Sequence, residues 1–316
     1  MEYRPLGNTG IKVSEIALGT MQFRWTTSEA NSCKVMDTFF DSGGTLIDSA
    51  DIYSFWAKGL KGGESETIIG KWMKKRGNRR QVILATKACG RMWPGPTGER
   101  LTRAHLIQAC DDSLRRLQTD YIDLYQSHSS DSLTPIEETL RAFEHLIQAG
   151  KVRCIGASNY SSGELAEALA VAEATGLPRY VSLQPYYHPM ARDIEKDHVW
   201  LLKKYKVSVI PYSPLAGGFF SGKYSKDKPV PKSERAGGLK WLMDDKGWTV
   251  LGKLEEYGRK RGRTILQMAL AWHLSHDWMT APIVGANTPE QLQNSLGAAG
   301  LRLTPEEMAE LDKITA

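Results

Sequence analysis

The chain has 316 residues, 41% apolar and 24% charged, with a formal net charge of +5 at pH 7. At roughly 150 residues per domain that length suggests two domains, although α/β barrels reach it as one. The positive excess is scattered; its longest runs, Lys74-Lys75-Arg76 and Arg259-Lys260-Arg261, read as solvated helix ends and not as a nucleic-acid surface.

The four cysteines, Cys33, Cys89, Cys110 and Cys154, stand far apart and form no C-x-x-C pair. That argues against a disulfide framework or a zinc site and favours a reducing compartment. The start, Met-Glu-Tyr-Arg-Pro, has no apolar h-region, and no apolar run approaches the roughly 18 residues that span a bilayer. The expectation is a soluble cytoplasmic protein with neither nucleic acid nor membrane as a partner.

In chain order, residues 1–14, with Pro5, Gly7 and Asn8-Thr9-Gly10, predict a hairpin. Eight β-rich runs follow: Glu15–Leu18, Thr45–Asp48, Val82–Ala85, Ile122–Gln126, Val152–Gly156, Tyr180–Gln184, Val207–Pro211 and Pro282–Gly285. Most are apolar on both faces, as parallel strands covered by helices are. Amphipathic stretches alternate with them. Thr134-Pro135-Ile136-Glu137 reads as a capping box opening the stripe Ile136, Leu140, Phe143 and Ile147; Ser161–Glu164, Thr288–Gln291 and Thr304–Glu307 are further boxes. Two loops are long, Ala88–Leu101 after the third strand and Gly217–Trp241 after the seventh. Strand–helix alternation repeated eight times with no break in composition predicts one (β/α)₈ TIM barrel over 1–316, class α/β, with an N-terminal β-hairpin and long loops at the C-terminal face.

Asp48, Lys87 and His128 sit at or just past the C-terminal ends of the second, third and fourth strands, and Tyr53 lies in the loop after Asp48. Singly, each has a bland explanation: a helix cap, a solvated lysine, a satisfied histidine, a packing tyrosine. Neighbouring strand ends converge at one barrel mouth, however, and together the four suit a single reaction. Hydride delivery to a carbonyl builds charge on an oxygen that then needs a proton. A phenol, with a pKa near 10, gives that proton more readily beside an ammonium. Lys87 supplies the ammonium, Asp48 orients it, and His128 donates to the carbonyl oxygen.

The sequence resembles the aldo-keto reductase superfamily over nearly its whole length. The resemblance rests on Leu-Ile-Asp-Ser-Ala-Asp-Ile-Tyr (46–53), Ala-Thr-Lys (85–87), Gln-Ser-His-Ser-Ser-Asp (126–131), Ile-Gly-Ala-Ser-Asn (155–159), Pro-Tyr-Ser-Pro-Leu-Ala-Gly-Gly (211–218) and Ile-Val-Gly-Ala-Asn-Thr-Pro-Glu-Gln-Leu (283–292). It places a catalytic tetrad on Asp48, Tyr53, Lys87 and His128. One departure is Ser54, where a glycine commonly follows the tyrosine.

No G-x-G-x-x-G follows any strand, so a Rossmann-type site is unsupported. The resemblance implies instead a nicotinamide cofactor across the barrel mouth. It puts Gly19, Thr20 and Asp48 beside the cofactor, Ser158, Asn159 and Gln184 on the nicotinamide amide, and Tyr212 against its ring. Ser213, Leu215 and Gly217 then approach the diphosphate, Lys223 and Arg235 grip it, and Gly285, Asn287, Gln291 and Asn294 take the adenosine end. A cation often stands at or beside position 287 in the family, and none does here. That absence argues against a strict preference; NADPH/NADP remains the expected cofactor, with NADH use left open.

Trp25, Phe55, Trp56 and Trp93 fall in loops after the first three strands and are candidates for an apolar substrate cleft. The expected ligand is a small-molecule carbonyl or alcohol, and no metal site is expected. Two other readings share these residues: a non-catalytic NADPH-binding sensor or regulatory barrel, and an alcohol dehydrogenase running in the reverse direction. Nothing in the sequence marks a homo-oligomer interface or excludes one.

Overall fold

A computed structural model describes residues 1–316. Tyr3–Pro5 (β1) and Lys12–Ser14 (β2) pair antiparallel, as the Gly-rich turn between them predicts. Val13 of β2 and Leu6 and Ile11 of the connecting turn are buried against the first inward layer of the barrel, so the hairpin plugs its N-terminal end.

Eight parallel strands form the second sheet: Ala17–Gly19 (β3), Leu46–Asp48 (β4), Ile83–Ala88 (β5), Ile122–Ser127 (β6), Val152–Ser158 (β7), Ser182–Gln184 (β8), Ser208–Val209 (β9) and Ile283–Gly285 (β10). The hydrogen-bonded order is β10-β3-β4-β5-β6-β7-β8-β9. Closure comes from single bonds: the Ile283 amide donates to the Pro211 carbonyl at 2.9 Å, and the Thr280 amide to Val209 at 2.9 Å. The protein is a (β/α)₈ barrel.

Strand limits moved for a physical reason. An apolar run stops at Ala85, but β5 goes on through Thr86, Lys87 and Ala88, which pair with Tyr125, Gln126 and Ser127. The upper inward layer of this barrel is polar, so apolarity under-counts its strands. Conversely, β8 begins two residues later than predicted, at Ser182, and β9 covers only Ser208–Val209, ahead of Pro211, which has no N–H to give to the sheet.

The covering helices are Glu29–Asp41 (α1), Glu64–Arg76 (α2), Arg103–Leu117 (α3), Ile136–Gln148 (α4), Ser162–Thr175 (α5), Ile194–Asp197 (α6), Val199–Tyr205 (α7), Asp245–Arg259 (α8), Ile265–Ser275 (α9), Pro289–Leu296 (α10) and Pro305–Thr315 (α11). Their apolar faces meet the outward residues of the sheet, among them Ile47, Leu84, Tyr125, Ile155, Leu183 and Val209, in the main hydrophobic core. The capping boxes at Ser161 and Thr304 form reciprocally. That at Thr134 does not: its hydroxyl donates to Asp131 Oδ2 at 2.5 Å instead, and α4 starts without a side-chain cap. At Thr288 the hydroxyl caps the Gln291 amide, while the Gln291 side chain reaches past it to the Asn287 amide at 2.8 Å.

Candidate active site

The period of two along each strand builds the site. Leu46, Ala85 and Leu124 point inward to the apolar lower layer. Two residues on, and therefore on the same side, stand Asp48, Lys87 and Gln126; Gln184 joins them from β8. All four are buried. Gly156 makes room for this layer, because a Cβ there would lie 2.4 Å from Ser182 Oγ and 3.1 Å from Gln126 Cγ.

Lys87 Nζ spends each of its three donors. It donates to Asp48 Oδ2 at 2.7 Å, to the Ser49 carbonyl at 2.7 Å and to Tyr53 Oη at 2.9 Å. The other Asp48 oxygen accepts from Gln126 Nε2 at 3.2 Å and Gln184 Nε2 at 2.9 Å. An ammonium only donates, so Tyr53 Oη accepts from Lys87 and keeps its own hydrogen free for a ligand. The His128 ring lies edge-on to Tyr53, 6.0 Å between centroids, and makes no hydrogen bond within the protein.

Burial changes the expected electrostatics. Desolvation raises the Tyr53 phenol above its ordinary value; Lys87 pulls it down and Asp48 pushes it up again. Lys87 therefore offsets the cost of burying a phenolate without reversing it. Lys87 itself is raised: Asp48 and Tyr53 together outweigh the desolvation that opposes them. Burial and the Lys87 charge push His128 down to about 3, so it is a neutral imidazole at any working pH.

Around this centre lie the residues implied for a cofactor. Ser158 Oγ donates to the Gln184 carbonyl, and Asn159 Nδ2 to the His128 carbonyl, both at 2.9 Å. Tyr212 Oη donates to Asn159 Oδ1 at 2.9 Å, which fixes the ring at the mouth. Thr20 is buried, with its hydroxyl on the Asp48 carbonyl at 2.9 Å, and a Cβ on Gly19 would lie 2.7 Å from Ile283 Cγ2. Both serve the scaffold beneath the mouth.

The loop after β9 is different. Ser213, Ala216, Gly217 and Gly218 all have positive φ, a tight left-handed path that turns the chain at Leu215. Beyond it Lys223 and Arg235 have no carboxylate partner. Burial and the neighbouring Arg235 lower Lys223, and the half-buried Arg235 is lowered by burial too. Two cations close together with no counter-ion describe a place for a polyanion. Asn287 lies across the mouth at the N-terminus of α10, its Oδ1 accepting from Thr26 Oγ1 at 2.9 Å and Thr27 Oγ1 at 2.6 Å. Gly285, Gln291 and Asn294 are exposed nearby.

Residues 15–316 match the family model described as the aldo/keto reductase family. The chain belongs to the aldo-keto reductase family. It is similar to an uncharacterized oxidoreductase, YrpG, of Bacillus subtilis (strain 168), 36% identical over 99% of this chain and 96% of that one. A versiconal hemiacetal acetate reductase of Aspergillus parasiticus is 32% identical over 99% and 96%, and the aldo-keto reductase YhdN of Bacillus subtilis 33% over 99% and 93%. As an aldo-keto reductase the protein is an oxidoreductase, of a family that works with nicotinamide cofactors. No helix is long and apolar enough to cross a membrane.

The aromatic candidates divide in this aldo-keto reductase. Trp25 and Trp56 meet edge to face at 5.5 Å, Trp56 meets Tyr53 at 6.3 Å, and the Arg235 guanidinium stands 5.6 Å above Trp25. Phe55 is exposed beside them. Trp93 instead packs on His105 of α3 at 4.8 Å and lines a groove with Met92, Thr97 and Gln108, apart from the Tyr53 cluster.

Several site residues were not singled out from the sequence. Gln126, two positions before His128, was detectable by period-two alternation from Leu124. Gln22, which donates to the Gly19 and Ala286 carbonyls, and the pair Thr26 and Thr27 gave no local signal. Ser54, the departure noted above, is buried at φ +76° and donates its hydroxyl to the Phe23 carbonyl at 2.6 Å. That bond supports a conformation that glycine adopts without strain.

Proposed function

We propose that this aldo-keto reductase is an NADP(H)-dependent enzyme that reduces an aldehyde or ketone, reversibly, with Tyr53 as general acid and residues 1–316 as one barrel unit. The observation that carries the reading is the trio of hydrogen bonds from buried Lys87 Nζ. It leaves the Tyr53 O–H hydrogen as a free donor at the mouth, backed by a fixed positive charge.

When bound, the reduced nicotinamide supplies the hydride. The residues available for it fit the group. Lys223 and Arg235 are cations without a carboxylate partner for the diphosphate, Gly218 of the positive-φ turn lies beside Lys223, where a Cβ would stand 3.7 Å from its Nζ, and Tyr212 offers a ring face to the nicotinamide. Gln184 turns its amide nitrogen to Asp48, and its Oε1 makes no bond within the protein.

Tyr53 donates its proton to the carbonyl oxygen as negative charge develops there. Lys87 stabilises the resulting phenolate through the hydrogen bond it already makes, so no side chain has to move. Asp48 keeps Lys87 charged and oriented. Neutral His128 offers an N–H to the same carbonyl oxygen without competing as an acid. Proton donation of this type is worth roughly 10²–10⁴-fold.

The test is a carbonyl and alcohol panel with NADPH and NADH, followed at the nicotinamide absorbance. The expected result is carbonyl-dependent oxidation of NADPH, with slower use of NADH. Tight NADPH binding with no turnover of any aldehyde or ketone would identify a binding-only barrel instead.

A further inference from the structure

Eight large apolar side chains are strongly exposed in this protein. Six of them, Phe55, Trp56, Leu133, Tyr186, Val230 and Trp241, lie in loops that follow barrel strands, on the face that holds the tetrad. Only Tyr3 and Trp200 lie elsewhere. Exposed apolar surface gathered at one mouth marks a surface kept free for a ligand.

Trp56 is the member nearest the chemistry. Its indole is held edge to face by Trp25 at 5.5 Å and Tyr53 at 6.3 Å, yet 46% of the residue remains open to solvent. Two contacts fix the ring while leaving surface uncovered, which describes a platform and not a packing residue. In the loops after β8 and β9, Tyr186 meets Tyr212 at 5.5 Å and Trp241 lies over His188 at 6.2 Å, a second aromatic group on the same face. No free carboxylate stands at the phenol: Asp48 is committed to Lys87, and His128 is neutral. The Arg235 guanidinium stands 5.6 Å above Trp25, and the cofactor reading gives it a phosphate.

Resting on that reading, we infer that Trp56 determines specificity by stacking, and that the preferred substrate is an uncharged aldehyde or ketone carrying a flat aromatic ring. When a carbonyl oxygen reaches Tyr53 Oη, the body of the substrate lies against the Trp56 ring. Offset or edge-to-face contact of two rings adds to what apolar area alone contributes. A saturated ring of the same size covers the same surface without it.

The experiment compares 3-phenylpropanal with 3-cyclohexylpropanal, whose aldehydes are unconjugated and equally reactive. Wild type is expected to favour the phenyl compound about fivefold in kcat/KM, which is about 1 kcal/mol. Trp56→Leu, which keeps an apolar side chain, should bring the ratio to about one, and Trp56→Phe should keep most of it. A wild-type ratio near one, or a ratio that survives Trp56→Leu, overturns the proposal. Adding a para carboxylate to the phenyl compound should lower kcat/KM; a rise would show that Arg235 serves the substrate. If neither aldehyde is turned over, it is the reductase reading that fails.

Discussion

The two sides of the barrel mouth solve opposite problems. At the ends of β4, β5, β6 and β8, Asp48, Lys87, Gln126 and Gln184 are tied together by hydrogen bonds centred on the Asp48 carboxylate before any ligand arrives. Across the mouth, Lys223 and Arg235 carry positive charge with no carboxylate partner, on a loop where Ser213, Ala216, Gly217 and Gly218 have positive φ. The contrast shows where each function can afford disorder in its valences. A proton donor works best when its surroundings are fixed in advance, so that nothing reorganises during the reaction. A binding loop needs the reverse, donors that are left unsatisfied until the ligand completes them.

Breaking the first side should have the larger effect. Tyr53→Phe should lower kcat by about 10²–10⁴-fold while the cofactor dissociation constant changes less than about twofold. Stopped-flow turnover and quenching of tryptophan fluorescence measure the two, and a variant keeping a tenth of the wild-type kcat removes Tyr53 from its role. Lys87→Met should cost both activity and stability. It leaves the buried Asp48 carboxylate unpaired, a loss of roughly 3–5 kcal/mol. The double change Asp48→Asn with Lys87→Met should recover most of the melting temperature and none of the rate. If it recovers the rate as well, the pair is structural.

The second side should yield in affinity alone. Arg235→Ala is expected to raise the NADPH dissociation constant about tenfold or more, since a charge-assisted hydrogen bond contributes roughly 1.5–3 kcal/mol. The apo melting temperature should stay level, because an arginine with no counter-ion contributes little to the free protein. Unchanged affinity would place this loop outside the cofactor site.

The pH profile separates the sides further. Tyr53 donates only while protonated, and burial raises it above the ordinary phenol value, so reduction should show no basic limb below about pH 10. His128 is depressed from 6.5 to about 3, so kcat/KM should show no inflection near pH 6.5. A bell with an acid limb near 6.5 would assign a charged His128 to the reaction.

The smallest effect is expected at Asn287. With amide and hydroxyl donors only, preference for NADPH over NADH should be modest, below about a thousandfold, or roughly 4 kcal/mol. Asn287→Arg adds a charged donor but removes the acceptor of Thr26 and Thr27. The net gain in preference should be about three- to tenfold, read as kcat/KM for both cofactors at one ionic strength.

Most of the barrel was legible along the chain. All eight strands and the hairpin stand where alternation and turn residues predicted, and Asp48, Lys87 and His128 lie at strand ends as placed. These features are local: a period of two, a proline, a cap three residues ahead of its partner. What was misread depended on competition between partners. Thr134 could cap α4 or bond Asp131, and only the packing of neighbouring loops through Arg100 and Asp131 gave its hydroxyl to the carboxylate.

By itself, then, the sequence determined the eight strands of one barrel, the hairpin ahead of them and the placing of Asp48, Lys87 and His128 at strand ends, because those features follow from spacing along the chain. The tertiary structure decided how those residues behave. Burial, which no local pattern reports, outweighs Lys87 at Tyr53, makes His128 neutral and leaves Trp93 on α3 while Trp25 and Trp56 flank the phenol. Desolvation and contact depend on elements far apart in the chain, and those are set only when the barrel closes.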